Sequence, residues 1–383
     1  MRTALSSCRR LRRLSCVHSH LLLGSRNMAA AASAVPTELI VAVVCPEDSP
    51  CLASLPRDVH ETRFIVHNSW ERFHANPYFK DVSAIVFVAA GGNVDLVPRI
   101  FDAVDVSWVH SFFAGVDVMA PFIASHLLQP QADASTSASA SASASLPRHA
   151  ILSNGRGAFS SSLAEYVMTS ALHFNKRITQ CQQNMRDKKW DKFVMPTLAG
   201  KTMGFVGFGH IGQTSAKVAK AFGMKVACLR RNKTKGRGKD DVADVVYGPE
   251  DKFKLLAESD FVVSVLPGTP ETLDFFGESE FDAMKSDSTF ISVGRGSVVD
   301  EDALARALCS GAIGGAALDV FKTEPLPATS PLWDCGEKLL MTAHNADYTE
   351  NYFALGWGVW RQNLEELREN GVLATPVDLK LGY

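Results

Sequence analysis

KTMGFVGFGHIGQTSAKVAKAFGMKVACLRRN, residues Lys201 to Asn232, reads as strand, glycine turn, helix and strand without a break. Thr202 to Val206 is a short apolar run of strand character, and Gly207, Gly209 and Gly212 follow it in G-x-G-x-x-G spacing. In a βαβ unit the first such glycine allows the tight turn and the second lets the backbone approach a pyrophosphate. The third lets the helix pack closely on the strand. The spacing by itself is weak, a glycine-rich turn being the bland alternative, but its context favours a dinucleotide. From Gln213 to Phe222, Ala216, Val218, Ala219 and Phe222 lie near one helix face; Gly223 stops the helix; and Lys225 to Leu229 is a buried strand of the parallel kind. The free N–H groups and positive end of that helix suit a phosphate.

The acid that usually binds the ribose hydroxyls is expected about twenty residues past the turn. Here the chain has Arg230, followed by Arg231 and Asn232. An acid would repel a 2′-phosphate, whereas guanidiniums hold one through forked, charge-assisted hydrogen bonds, so the pattern predicts NADP as the preferred cofactor with NAD possible. An ordinary basic surface loop is the competing reading, because the run continues as KTKGRGK.

The 383 residues suggest roughly two or three domains, and 46% hydrophobic residues are ample for separate cores. A net charge of −2 gives no reason to expect a nucleic-acid partner. The 8 cysteines include no C-x-x-C pair, which argues against a zinc site or a disulfide framework and for a reducing compartment. No metal is expected, and no apolar run is long enough to span a bilayer, so no membrane partner is expected either. Residues 1–35 differ in kind, with Arg2, Arg9, Arg10, Arg12, Arg13 and Arg26, many serines, and no acid before Glu38. That is the composition of a mitochondrial transit peptide; a start at Met28 would instead leave the protein in the cytoplasm.

Leu39 to Cys45, Thr62 to His67 and Ala84 to Ala89 read as strands of a second α/β domain that precedes the glycine-turn domain. Ser107 to Met119 ends that alternation, and within it Ala114-Gly115-Val116 would let backbone N–H groups face a small anion. The Ser/Ala repeat within residues 130–148 buries too little surface to offset chain entropy and reads as a disordered insertion. Asn154 to Lys176 returns to order with Leu163, Val167, Ala171 and Leu172 on one helix side. Beyond the βαβ unit, Phe261 to Leu266, Thr289 to Val293 and Gly314 to Leu318 are further strands, which makes a parallel, doubly wound sheet.

Three polar residues sit just beyond sheet strands, where open α/β sheets bind ligands: Arg295, Glu324 and His344. Singly, each has a bland reading as a surface pair, a turn residue or a core histidine. Together with the βαβ unit, and with the AGVD loop, SLAE, LPGTPET, VGRGSVVDEDAL, ALDVFKTEPLP and the final VDLKLGY, they resemble the D-isomer-specific 2-hydroxyacid dehydrogenase family. The resemblance runs from about Ser107 to Tyr383 and is nearest to that family's glyoxylate and hydroxypyruvate reductases.

The resemblance implies two α/β domains of Rossmann-like and flavodoxin-like type, each a doubly wound parallel sheet, with the active site in the cleft between them. It implies a substrate domain of residues 36–152 joined by 348–383, a cofactor domain of 153–347, and a homodimer formed through the helix after Ser160 and the segment around Trp190. Arg295 would hold the substrate carboxylate and polarise its keto group, helped by Ala114 and Gly115; His344 would exchange a proton with the substrate oxygen, and Glu324 would orient His344. A nearby carboxylate favours the imidazolium form that gives the proton, and a fixed guanidinium stabilises the developing alkoxide. Asp319 would meet the nicotinamide amide. Gly207, Gly209, His210, Ile211, Gly212, Arg230, Arg231, Asn232, Leu266, Pro267, Thr272, Val293 and Gly294 would line the rest of the cofactor.

Some residues depart from the family's pattern. Val265-Leu266-Pro267 stands where His-x-Pro is common, Ser292 stands where Asn is common, and Glu324 in place of Gln argues against a formate dehydrogenase. A dinucleotide-sensing interaction protein, like the corepressors that share this fold, is the alternative from another functional class. Trp357 and Trp360 fit either a substrate pocket or a helix packing stripe.

Overall fold

The computed structural model describes residues 38–128, 150–232 and 242–383. The expected transit peptide at 1–35 and the Ser/Ala insertion at 130–148 lie outside the described residues.

Short apolar runs build two parallel sheets. β1 (Leu39–Val44), β2 (Thr62–His67), β3 (Ala84–Phe87), β4 (Trp108–Ser111) and β5 (Ile151–Asn154) pair in the order β2-β1-β3-β4-β5, every pair parallel. All residues of β1 are buried, as a strand covered on both faces requires. The second sheet contains β6 (Thr202–Val206), β7 (Lys225–Leu229), β8 (Val245–Tyr247), β9 (Phe261–Ser264), β10 (Thr289–Ser292), β11 (Gly315–Leu318) and β12 (Leu339–Met341). Its order is β12-β11-β10-β9-β6-β7-β8. The first order is flavodoxin-like and the second is of the Rossmann kind, so in each sheet the strand order reverses beside the first strand, at the switch point where such sheets bind ligands.

β4 lies inside the Ser107 to Met119 stretch with which the alternation was expected to end, and β5, at Ile151–Asn154, adds one more strand to the same sheet. The edge strands β8 and β12 escape sequence reading because VVY and LLM are too short to show a period.

Four helices position the site. α1 (Ser160–Asn175) buries Leu163, Val167 and Ala171 in the core of the second sheet, and α2 (Ile178–Arg186) follows it with no buried residue. α3 (His210–Ala221) begins at His210 rather than Gln213, because Gly209 is extended and caps it from inside the glycine motif. α4 (Tyr352–Asn370) packs on the first sheet, where Trp357, Trp360, Leu364 and Leu367 join Leu39, Val41 and Trp108 in one core. Trp360 stacks on Trp108 with ring centroids 5.7 Å apart, and the Trp357 indole N–H donates to the Cys51 carbonyl at 2.8 Å. These tryptophans are therefore the packing stripe and not a pocket lining. An antiparallel bridge between Ser153 and Pro376 ties the segment after α4 to β5.

His110, on β4, is fully buried. Its Nδ1 lies 2.7 Å from the Ser153 hydroxyl, and burial pushes its pKa down to about 3. Among the described residues no helix is long and apolar enough to cross a membrane.

Candidate active site

The turn after β6 has the shape a dinucleotide phosphate needs. Gly207 has φ +90°, and a Cβ there would lie 2.8 Å from the Val265 carbonyl, so only glycine makes this turn. At Gly212 a Cβ would come within 3.0 Å of the Gly207 carbonyl, whereas at Gly209 it would meet nothing within 4 Å, which leaves the α3 N-terminus open to a ligand. The cradle fits the expected cofactor.

Around it, His210 is exposed and Ile211 half-buried. The Arg230 guanidinium lies 4.7 Å from the centre of the Phe208 ring, which sits inside the glycine turn itself. Arg231 and Asn232 are exposed, and Arg231 lies 5.9 Å from the Tyr383 ring. Leu266 and Pro267 are half-buried beyond β9, and the Thr272 hydroxyl donates to the Pro267 carbonyl at 2.6 Å, so Thr272 is a clamp on that loop. Val293 is buried at the end of β10.

Arg295, Glu324 and His344 follow β10, β11 and β12, three neighbouring strands of one parallel sheet. The glycines beside Arg295 exist for close approach: a Cβ on Gly294 would lie 2.5 Å from the Leu266 carbonyl, and one on Gly296 1.9 Å from the Phe321 carbonyl carbon. That contact draws the Arg295 loop against the loop carrying Glu324. One Glu324 oxygen accepts from the Phe321 N–H at 2.9 Å, and the other lies 2.7 Å from His344 Nδ1. With Nδ1 donating to the carboxylate, Nε2 is the ring nitrogen left for proton exchange.

His344 has φ +50°, unusual for a side chain with a Cβ, and its N–H donates to the Asp319 carbonyl at 2.8 Å. Asp319 is buried, and its carboxylate accepts from the Thr342 hydroxyl at 2.5 Å and from the N–H groups of Asn345 and Ala346 at 3.1 and 3.2 Å. It works as a strut under the His344 loop.

The anion loop also reaches the site. A Cβ on Gly115 would fall 1.7 Å from Arg295 Nη2, so the guanidinium lies directly on that glycine. Among the described residues the Ala114, Gly115 and Val116 N–H groups donate to no protein acceptor, while the Ala114 and Gly115 carbonyls are held by Asn154 and Ser111. The sequence reading missed two acids. Asp117 accepts from Arg295 Nε at 3.0 Å and belongs to the AGVD stretch already noted; Asp347 lies three residues past His344. Burial raises the Asp347 carboxyl above the usual range, with Asp319 adding to the rise and His344 and Arg295 opposing it.

The family described as D-isomer specific 2-hydroxyacid dehydrogenase, NAD binding domain, matches residues 168–346. The glyoxylate reductase of Thermococcus litoralis is 37% identical over 187 residues, a segment that covers 46% of this chain and 55% of that protein, so the match spans about half the relative's length. A D-isomer specific 2-hydroxyacid dehydrogenase family protein from Aeromonas salmonicida has a crystal structure that aligns with a TM-score of 0.68 at 28% identity, over 89% of this chain and 99% of that one. An NADPH-dependent glyoxylate/hydroxypyruvate reductase from Sinorhizobium meliloti, in complex with NADP and sulfate, shares the fold with a TM-score of 0.69 at 24% identity, over 90% of this chain and all of that one.

Proposed function

We propose that the chain belongs to the D-isomer-specific 2-hydroxyacid dehydrogenase family, whose NAD binding domain matches residues 168–346, and that it reduces small 2-keto acids of the glyoxylate and hydroxypyruvate type to D-2-hydroxy acids, with NADPH preferred over NADH. The observation that carries the reading is the convergence of Arg295 and the Glu324–His344 pair beyond three adjacent strands, beside the open glycine turn.

Gly207, Gly209 and Gly212, with the α3 N-terminus, would hold the pyrophosphate, and Arg230 and Arg231 the 2′-phosphate. When bound, the reduced nicotinamide supplies the hydride. Arg295 and the free N–H groups beside Gly115 bind the substrate carboxylate, and the guanidinium also polarises the keto oxygen. His344 gives its Nε2 proton to that oxygen, and Glu324, itself fixed by Phe321, keeps the ring in place.

Within this reading, residues 36–152 with 348–383 form the substrate domain and 153–347 the cofactor domain. The protein is a homodimer formed through α1, the helix that begins at Ser160, and the segment around Trp190, near which Met185, Trp190 and Val194 are exposed. A monomeric mass by light scattering at micromolar concentration would remove the dimer. Residues 1–35 direct the protein to the mitochondrion, which imaging of a fusion that carries them would test.

The decisive experiment is a turnover screen of glyoxylate, hydroxypyruvate, pyruvate and bulkier 2-keto acids, each with NADPH and NADH. Highest kcat/KM for the small acids with NADPH is expected. Tight cofactor binding with no turnover on any acid would favour a dinucleotide-sensing interaction protein instead.

A further inference from the structure

Arg295 is gripped from both sheets. Its own loop follows β10, and there Nη1 donates to the Gly294 carbonyl at 3.1 Å. Asp117 follows β4 of the other sheet and accepts from Nε at 3.0 Å. The third nitrogen, Nη2, lies where a Gly115 side chain would be, 1.7 Å from the position of its Cβ. A guanidinium is planar with its donors in a fixed fork, so two acceptors and one steric contact set the whole plane. Both side chains are partly exposed, 36% for Arg295 and 47% for Asp117, and a pair so exposed contributes little to stability. Its use must lie in geometry.

We propose that Asp117 is a positioning residue that reaches across from the first sheet to hold the Arg295 guanidinium in the plane that receives the substrate carboxylate. The inference rests on the reading of Arg295 as the anion anchor. The loop that supplies the holding acceptor also supplies the N–H groups of Ala114, Gly115 and Val116, which have no acceptor among the described residues. One turn therefore fixes the cation and completes the anion site, and Arg295 takes its working orientation only when the two sheets stand in this mutual position.

The test uses the full chain loaded with NADPH. Turnover of glyoxylate gives KM and kcat, and oxamate, an unreactive mimic of a 2-keto acid, gives a dissociation constant that needs no turnover. Asp117→Ala should raise the KM for glyoxylate and the dissociation constant for oxamate by about tenfold, with NADPH affinity unchanged within about twofold. Asp117→Asn keeps an acceptor oxygen and should recover much of the loss. Gly115→Ala leaves every charge in place and has no positive φ to strain, but it displaces Nη2; it should behave like Asp117→Ala. In an Arg295→Ala background, Asp117→Ala should add no further loss.

A lower KM in Asp117→Ala would overturn the proposal, since Asp117 would then be competing with the substrate, and so would losses that multiply in the double variant. If the wild type turns over no keto acid but binds oxamate in an Asp117-dependent way, the reductase reading fails and this one stands. Absence of oxamate binding to the wild type would overturn it directly.

Discussion

The first strands of the two sheets end in opposite ways. β6 runs into Gly207, whose φ of +90° lets the chain turn at once into α3 with its N-terminus open. β1 runs into Cys45, Pro46, Glu47 and Asp48 and then a single-turn helix at Pro50–Ser54. Glu47 is bound to Arg72 and His67, and the buried thiols of Cys45 and Cys51 lie 3.8 Å apart. Both sheets have a switch point, yet only β6 offers a phosphate free backbone donors without an acid beside them. The architecture supplies the place, and a handful of turn residues decides what binds there.

The comparison is sharpened most by the residue that carries the chemistry. His344→Ala should lower kcat by roughly a thousandfold while NADPH binding stays within about threefold, because the proton donor acts only as the hydride moves and the pyrophosphate is held elsewhere. Steady-state kinetics and cofactor fluorescence titration would check both halves; near-normal kcat would mean that the site is misplaced.

Next in size is the turn itself. Gly207→Val forces a β-branched residue into positive φ and against the Val265 carbonyl, and should weaken NADPH binding by about thirtyfold or more. Pro46→Ala, at the matching turn of the first sheet, should change it by less than about twofold. Equal losses in the two variants would break the contrast between the sheets.

The first sheet carries its own signature in acid. His110 is neutral when folded, with a pKa near 3, and titrates near the ordinary 6.5 when unfolded. The unfolded chain therefore binds the extra proton between those values, and the stability present above 6.5 is lost as pH falls through that window. Between pH 6.5 and 5 the loss should be about 2 kcal/mol, read by denaturant titration with Trp108 as a nearby probe. His110→Leu should flatten that slope, and an unchanged slope would move the acid sensitivity to another group.

The smallest effect expected is on cofactor choice. Arg230→Asp should reduce the NADPH to NADH ratio of kcat/KM by about tenfold, through a lost charge-assisted contact and a new repulsion. An unchanged ratio would return the Arg230-Arg231 run to an ordinary basic surface.

Much of this was legible in the chain because it is local. The strand, glycine turn and helix of residues 201–232 announce themselves through short-range periods and through a glycine whose φ no other residue adopts cheaply. Arg295 and Glu324 follow strands that the sequence shows, and in a parallel sheet the ends of such strands share one edge; His344, behind the short β12, was found through the family resemblance. Local pattern could not assign what depends on distant partners. Trp357 and Trp360 fit a pocket or a core equally well by spacing, and only the stack on Trp108 decides between them. The hold that the Asp319 carboxylate has on Thr342, Asn345 and Ala346 likewise appears only once β11 and the loop after β12 are brought side by side. Asp117 meets Arg295 from 178 positions away in the chain, a contact that has no period and that neither residue's own motif announces, and it exists because folding closes one sheet's loop over the other's.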